Sequence, residues 1–498
     1  PEGYSYGCYL GYNSGGSIYG DIPDGNLYCY SYLNYNVGCI GNHALGCNSF
    51  IGSGQSASGT YTYCSYIYNS DNDTEYCQNS HTDVWGAVNT AQSNFATILN
   101  GTGNTASGIY NTVLNGFRNT ASGYYLASVL GGVLNAADNA NATVVGGFNN
   151  LALGDSTFIA GGVSNIACGS FSVVGGGLCN YSCNNCTTIA GGACNCDTAT
   201  STTYSGYIPA STISGGACNH VTGSCLYAGH TIGGGYCNTV SGHYGGSTVA
   251  GGVNNTVSGY YASTVSGGCY NCAPGSQAVI AGGSSNYVDS YASTVGGGNN
   301  NSAEQTFTTV AGGSDNHACG YSSTVAGGYQ NTASGGYSTI AGGRYNCILC
   351  DSGNGFVGPY SVISGGYNNR NSGYMSVIAG GESNCTAGLR SAVLGGSSNY
   401  AEGDCSAVIG GYNNRDCGYC NAFLVGSNLR AEQNDYTYFN NTKTCGDVCA
   451  TGIFYGNGAG LTGVTSVTAV AVIAGVPFKY GNGGGTSVVT VSGDNAST

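Results

Sequence analysis

The residues with the most chemistry in this chain are its 26 cysteines, and several recur at one interval. Cys168 and Cys183, Cys179 and Cys194, and Cys405 and Cys420 are each 15 residues apart. Cys218 and Cys237 hold equivalent places in the repeat described below, across a longer segment. Thiols spaced by one coil of a stacked structure would lie about 4.8 Å apart. A disulfide accepts roughly 4.4–6.8 Å between α-carbons. The eight cysteines are therefore candidate staples between neighbouring coils, each closed loop contributing about 3 kcal/mol by chain entropy. At least two of the four pairs are expected to be bonded or in sulfur contact. Their side chains point the same way, so others are expected to stay reduced. The plainer alternative is that Cys fills a small apolar position, as Ala or Ser does elsewhere.

Other reactive groups are less organised. Four CxxC pairs (Cys183/Cys186, Cys269/Cys272, Cys347/Cys350, Cys417/Cys420) could in principle bind zinc. They fall at different places in the repeat and far apart in sequence, so no metal is expected. His43, His81, His220, His230, His243 and His317 are scattered, acids are sparse, and no triad context surrounds any histidine. Glycine strings such as Gly233–Gly235 lack the lysine of a phosphate loop. No enzymatic activity and no cofactor are expected; a hydrolase site assembled between protomers is the remaining alternative. Tyrosine carries the better binding signal. Tyr110, Tyr125, Tyr261 and Tyr337 recur late in their coils and should form a broken stripe suited to a glycan or a protein receptor. The alternative is that they merely cover the rod or a groove between subunits.

What must position these residues is a repeat. Thr309–Gly343 reads as one sentence said twice: Thr, Val or Ile, a small residue, Gly-Gly, two variable residues, Asn, one variable, Ala, one variable, Gly. From Trp85 onward the second glycine or its equivalent recurs, mostly every 15 residues, through Gly411. Asn follows three residues later in all 21 coils. A fixed step of this length marks a solenoid. The longer steps, Gly192 to Gly216 and Gly343 to Gly366, imply loops near residues 198–208 and 350–359.

Each coil should hold two short strands, with Val325 and Ala333 facing in and Thr324 and Ser334 facing out. Glycine and asparagine should supply the left-handed corners. Asn286, Asn301, Asn316, Asn331 and Asn346 should stack into a hydrogen-bonded ladder. The predicted fold is an all-β parallel β-solenoid of about 21 two-strand coils, on the order of 100 Å long. One Val or Ile and one Ala make a thin core against about 1–2 kcal/mol of ordering entropy per residue. The residue after Val or Ile is small (Ala311, Ala326, Ala341, Ser364, Ala379), which would admit a close neighbour. A homotrimer is therefore expected, with end-to-end filaments as a further form.

Composition excludes several classes. With 91 Gly but no three-residue period, the chain is not collagen. A formal net charge of -14 with only 8 Lys and Arg argues against nucleic acid as a partner. The most apolar stretch, Val467–Val476, is about half of the roughly 20 residues that span a bilayer, so no membrane insertion is expected. The chain starts at Pro1 without a signal-peptide pattern, as a processed product or a piece of a longer chain would.

The repeat resembles the head repeats of trimeric autotransporter adhesins. It is still more similar to Gly/Asn-rich fibre proteins of bacteriophages and large viruses, in runs such as Ser376–Gly403. Phe423–Val448 and Tyr455–Val464 resemble the exit segment of such fibres. The resemblance covers about 70% of the chain; it lacks a heptad stalk, membrane-anchor strands and a self-cleaving chaperone module. It implies a trimeric left-handed β-roll and a virion-surface fibre for host attachment. The alternatives are a cell-surface adhesin or extracellular filament, and a polysaccharide-degrading spike. The expected organisation is an irregular, partly solenoidal region over 1–81, the solenoid over 82–428, an exit segment over 429–464, and a small β-region or subunit junction over 465–498.

Overall fold

The computed structural model describes residues 89–93, 95–199, 210–223, 229–349 and 360–440, together with the backbone of short strands outside them. It is an all-β parallel β-solenoid of about 22 turns, with no helix among the described residues. Two two-residue strands recur in each coil, and each pairs in parallel with its counterparts one coil before and after.

The first ladder carries the branched residues: Val310 is in register with Val325, and Val325 with Ile340. The second carries the small ones, with Ala318 opposite Ala333. A third, single-residue ladder that the two-strand reading did not include follows the glycine pair and runs Ser314, Tyr329, Arg344. The core is as thin as the repeat implies. Val325 and Ala333 are fully buried, and between them lie only Asn331 and a small hydroxyl residue such as Ser323 or Ser338. Thr324 and Ser334 are partly exposed.

The left-handed corners differ from expectation. Glycine holds one of them in the coil of Gly313, at φ +90°, and both residues of the pair in others, such as Gly297 and Gly298 at +146° and +87°. Two others in the coil of Gly313 fall on side-chain-bearing residues, Asp315 at +56° and Ser322 at +53°. Elsewhere the same corners hold Tyr, Phe, Cys, Leu or Arg. A left-handed L-residue costs about 1–2 kcal/mol. The cost is offset by stacking, because the corner amide donates to a carbonyl of the preceding coil: Asp315 N to Asn299 O at 2.9 Å, Tyr337 N to Tyr321 O at 2.7 Å. The geometry throws these side chains outward, which is where the aromatic and thiol columns below originate.

The stack crosses its long insertions unbroken, with Ile189 opposite Ile213 and Ile340 opposite Ile363. Thr200–Ser201 and Ser224–Cys225 pair with each other in parallel at the bases of two successive insertions. Towards the N-terminus the ladder continues through Thr82–Val84, Ser49–Ile51 and Leu33–Val37, the last also pairing antiparallel with Leu10–Ser14. Towards the other end it passes residue 428, placing Leu424 opposite Tyr438. Pro1–Asn440 form one compact unit and Asn441–Thr498 a second. In the second, Phe478–Asn482 and Gly485–Val489 make an antiparallel hairpin. Val467–Val476 lies outside the described residues.

Candidate functional site

The interior of each coil is filled by the ladders, so recognition chemistry falls to the outer corners. Along one edge, Tyr291, Phe307, Tyr321, Tyr337, Tyr360 and Tyr374 form a continuous column, with successive ring centroids 4.8–5.9 Å apart. All but one contact is edge-to-face; Tyr337 and Tyr360 stack flat, at an interplanar angle of 4°. Such pairs contribute about 0.5–1.5 kcal/mol each. The first five rings remain 40–48% exposed, so each keeps a face or edge available to a ligand.

Of the four tyrosines named from the sequence, Tyr337 belongs to this column. Tyr110 and Tyr125 belong to a shorter one with Phe95. Tyr261 stacks on Tyr244 in a third group that also holds Tyr260. They do not occupy one shared position. Tyr110 and Tyr337 sit in the left-handed corner itself, at φ +60° and +54°, whereas Tyr125 precedes the left-handed Leu126. The coils of Tyr125 and Tyr261 are 16 residues long, Asn119 to Asn135 and Asn255 to Asn271, and the extra residue enters at this corner. Tyr321 and Tyr374 were missed because the column mixes corner residues (Phe307, Tyr337, Tyr360) with residues one place before the corner (Tyr291, Tyr321, Tyr374).

The asparagines form the ladder directly. Asn301 N donates to Asn286 Oδ1, Asn316 N to Asn301 Oδ1, Asn331 N to Asn316 Oδ1 and Asn346 N to Asn331 Oδ1, each at 3.0 Å. Each Nδ2 also donates to the glycine corners of its own and the next coil; for Asn316 these are Gly312 O at 3.0 Å and Gly328 O at 2.9 Å.

The cysteine pairs differ from one another. Cys168 and Cys183 are disulfide-bonded, with α-carbons 4.5 Å apart. Cys179, Cys194, Cys218, Cys237, Cys405 and Cys420 are free thiols. Burial and the neighbouring Cys237 together push the Cys218 thiol above its ordinary value. Cys405 does not face Cys420. One coil on from Cys405 stands Asn421: Cys405 N donates to Leu389 O and Asn421 N to Asp404 O, and both residues are left-handed. The intervening coil holds one residue more than 15, which displaces Cys420 from the corner. Among the described residues, no three His, Cys, Asp or Glu side chains converge as a metal site.

Three ionisable groups lie inside the stack, where other coils carry mostly Ala, Val or Ser: Asp197, His230 and Asp416, the last accepting from Glu402 N at 2.7 Å and Gly403 N at 2.9 Å. Asp197 is fully buried and accepts from Ala199 N at 3.0 Å and from the Thr187 hydroxyl at 3.3 Å. Burial pushes its carboxyl up to about 6, against the pull of hydrogen bonds from Ala199, Thr187 and Ser211. His230, also fully buried, is held below the usual imidazole range by burial, partly countered by its Nε2 contact to Gly242 O. A raised carboxyl means that the folded state favours the proton. The contribution of Asp197 is therefore fully favourable below its unfolded value near 4 and is lost as the pH rises through about 6. Asp197→Asn keeps acceptor capacity without the charge. It is expected to gain about 2–3 kcal/mol over the parent at pH 8 and nothing at pH 4. Denaturant unfolding at the two pH values checks this; an equal shift at both would remove the charge as its cause.

The fold defines a class: a repetitive β-solenoid with columns of aromatic and thiol side chains on the outside of its stack. Within it, residues 323–335 match the Ubiquitous surface protein adhesin repeat. The matched segment, STVAGGYQNTASG, contains Val325, Asn331 and Ala333, the residues that fill one coil. No curated protein matches the chain. The solenoid and the adhesin-repeat match together fit an adhesin or fibre role.

Proposed function

We propose that this chain is a structural fibre displayed on a surface, that it acts as a homotrimer, and that it attaches to a host glycan or protein receptor through its aromatic columns. The observation that carries the reading is the uninterrupted stack. Its interior is consumed by the Val, Ala and Asn ladders, leaving its outside as the place for recognition. The role proposed is non-enzymatic and needs no cofactor. A virion surface is the proposed location, on the strength of the Gly/Asn-rich repeat. A cellular adhesin is the second reading, favoured by the match at residues 323–335. Immunogold labelling of native particles and of cells separates the two. Tyr321→Ser with Tyr337→Ser is expected to lower binding to host surfaces about tenfold, each aromatic contact being worth about 0.5–1.5 kcal/mol. Unchanged binding would remove the column from the attachment role.

Support for the oligomer comes from the first glycine of four pairs. At Gly146, Gly251, Gly312 and Gly342 an added Cβ would meet nothing within 4 Å, and none of these glycines is left-handed. Intrachain packing therefore does not require glycine at these four positions, whereas in other coils the backbone itself favours it, as at Gly282 (φ +157°) and Gly327 (φ +156°). In the early coils the edge is flanked by exposed apolar side chains: Leu99, Leu130 and Val145 before it, Phe117, Phe148 and Leu178 after it. A bare backbone edge with apolar flanks suits close approach by further copies of the chain. Gly312→Leu with Gly342→Leu is expected to leave the fold intact while reducing the mass in solution threefold. A parent that is already monomeric, or a variant that keeps the parent's mass, would overturn the trimer.

A further inference from the structure

Four consecutive coils carry cysteine at the same outer corner. Cys179, Cys194, Cys218 and Cys237 follow Leu178, Ala193, Ala217 and Tyr236, which are bridged in parallel from one coil to the next. The corner amides keep the column in step across the inserted segments: Cys194 N donates to Leu178 O at 2.7 Å, Cys218 N to Ala193 O at 2.9 Å and Cys237 N to Ala217 O at 2.9 Å. Three of the thiols are exposed and Cys237 is half-buried. Neighbouring rungs are one strand spacing apart, about 4.8 Å. The Cys168–Cys183 bridge, with α-carbons 4.5 Å apart, spans the same one-coil step at another position of the repeat. The four thiols run in a line and do not converge on a point, so their chemistry is exchange between neighbours.

The same coils have polar groups in their interior. They contain the buried Asp197 and His230 in place of small or apolar residues. Among the described residues, every buried side-chain atom without a hydrogen-bond partner belongs to Ser172, Ser182, Asn184 or His230. Unsatisfied buried polar atoms cost about 1–3 kcal/mol each. Two successive insertions also leave the stack here, beyond Ala199 and beyond Gly223.

We propose that Cys179, Cys194, Cys218 and Cys237 are one oxidisable thiol ladder that closes as Cys179–Cys194 and Cys218–Cys237 and clamps the coils with the polar interior. Each closure joins two sulfurs and releases two protons and two electrons. With a small-molecule disulfide as oxidant, a thiolate displaces one thiol and the second cysteine displaces the other, so one disulfide is consumed and two thiols are freed. The pairing uses all four rungs, whereas Cys194–Cys218 would strand the two outer ones.

The test uses the full chain, reduced, then equilibrated with oxidised glutathione and alkylated before peptide mapping and hydrogen exchange. The expected result is both bridged peptides, with exchange across residues 187–232 slowed on the order of 10²-fold by the closed loops. A variant with all four cysteines changed to serine should fold and show no response to the oxidant. In Cys179→Ser with Cys237→Ser, the inner pair should bridge as Cys194–Cys218. Four free thiols after oxidation, bridges between chains, exchange rates indifferent to oxidation, or an inner pair that stays reduced would each overturn the proposal.

Discussion

Gly313→Ala is expected to break the stack at its coil and to cost at least about 4 kcal/mol, in the range reserved for gross backbone conflict. Gly313 sits at φ +90°, and a Cβ there would lie 2.2 Å from Gly328 O, 2.5 Å from Asn316 Nδ2 and 2.8 Å from Gly328 N. Two of the three atoms are backbone of the next coil, so no side chain can swing away. Relief requires separating the coils, which breaks the hydrogen bonds of the ladders on either side. The neighbouring Gly312→Ala changes the same amount of chemistry where a Cβ meets open space, so within one chain its effect should stay within about 0.5 kcal/mol. Denaturant unfolding of the two variants side by side provides the measurement. Equal midpoints would mean that the stack is looser than its geometry.

Asn316→Ala has the second largest expected effect, about 3–5 kcal/mol. The fully buried Asn316 amide accepts from Asn331 N at 3.0 Å and donates to Gly312 O at 3.0 Å and Gly328 O at 2.9 Å. Its removal leaves the buried Asn331 N–H without this acceptor and takes a donor from two glycine corners. The penalty is for groups left behind, so it exceeds the net worth of an ordinary hydrogen bond. Asn299→Ala, at an exposed site, is the control and should change stability by no more than about 0.5 kcal/mol. A comparable loss at both positions would show that the ladder asparagines contribute no more than surface ones.

The solenoid itself was legible because its determinants are local and repeated. A buried Val at Val325, a buried Ala at Ala333 and a stacking Asn at Asn331 recur at one interval, and side-chain alternation says which way each points. The glycine at Gly313 was legible as a corner for the same reason. What the period could not supply was the path of the chain between those fixed points. One added residue in a coil leaves the ladders intact but shifts everything at the corner, which is why Cys420 misses Cys405 and why Tyr125 and Tyr337 stand at different places along one edge. The left-handed conformation at Asp315 and Tyr337 was not legible either, because its cost is offset by an amide bond to the preceding coil that exists only once coils stack. The pairing of Thr200–Ser201 with Ser224–Cys225 and the interior placement of Asp197 and His230 share that origin. Periodicity specifies which residue faces inward; only the stacked backbone decides which residues from different coils become neighbours.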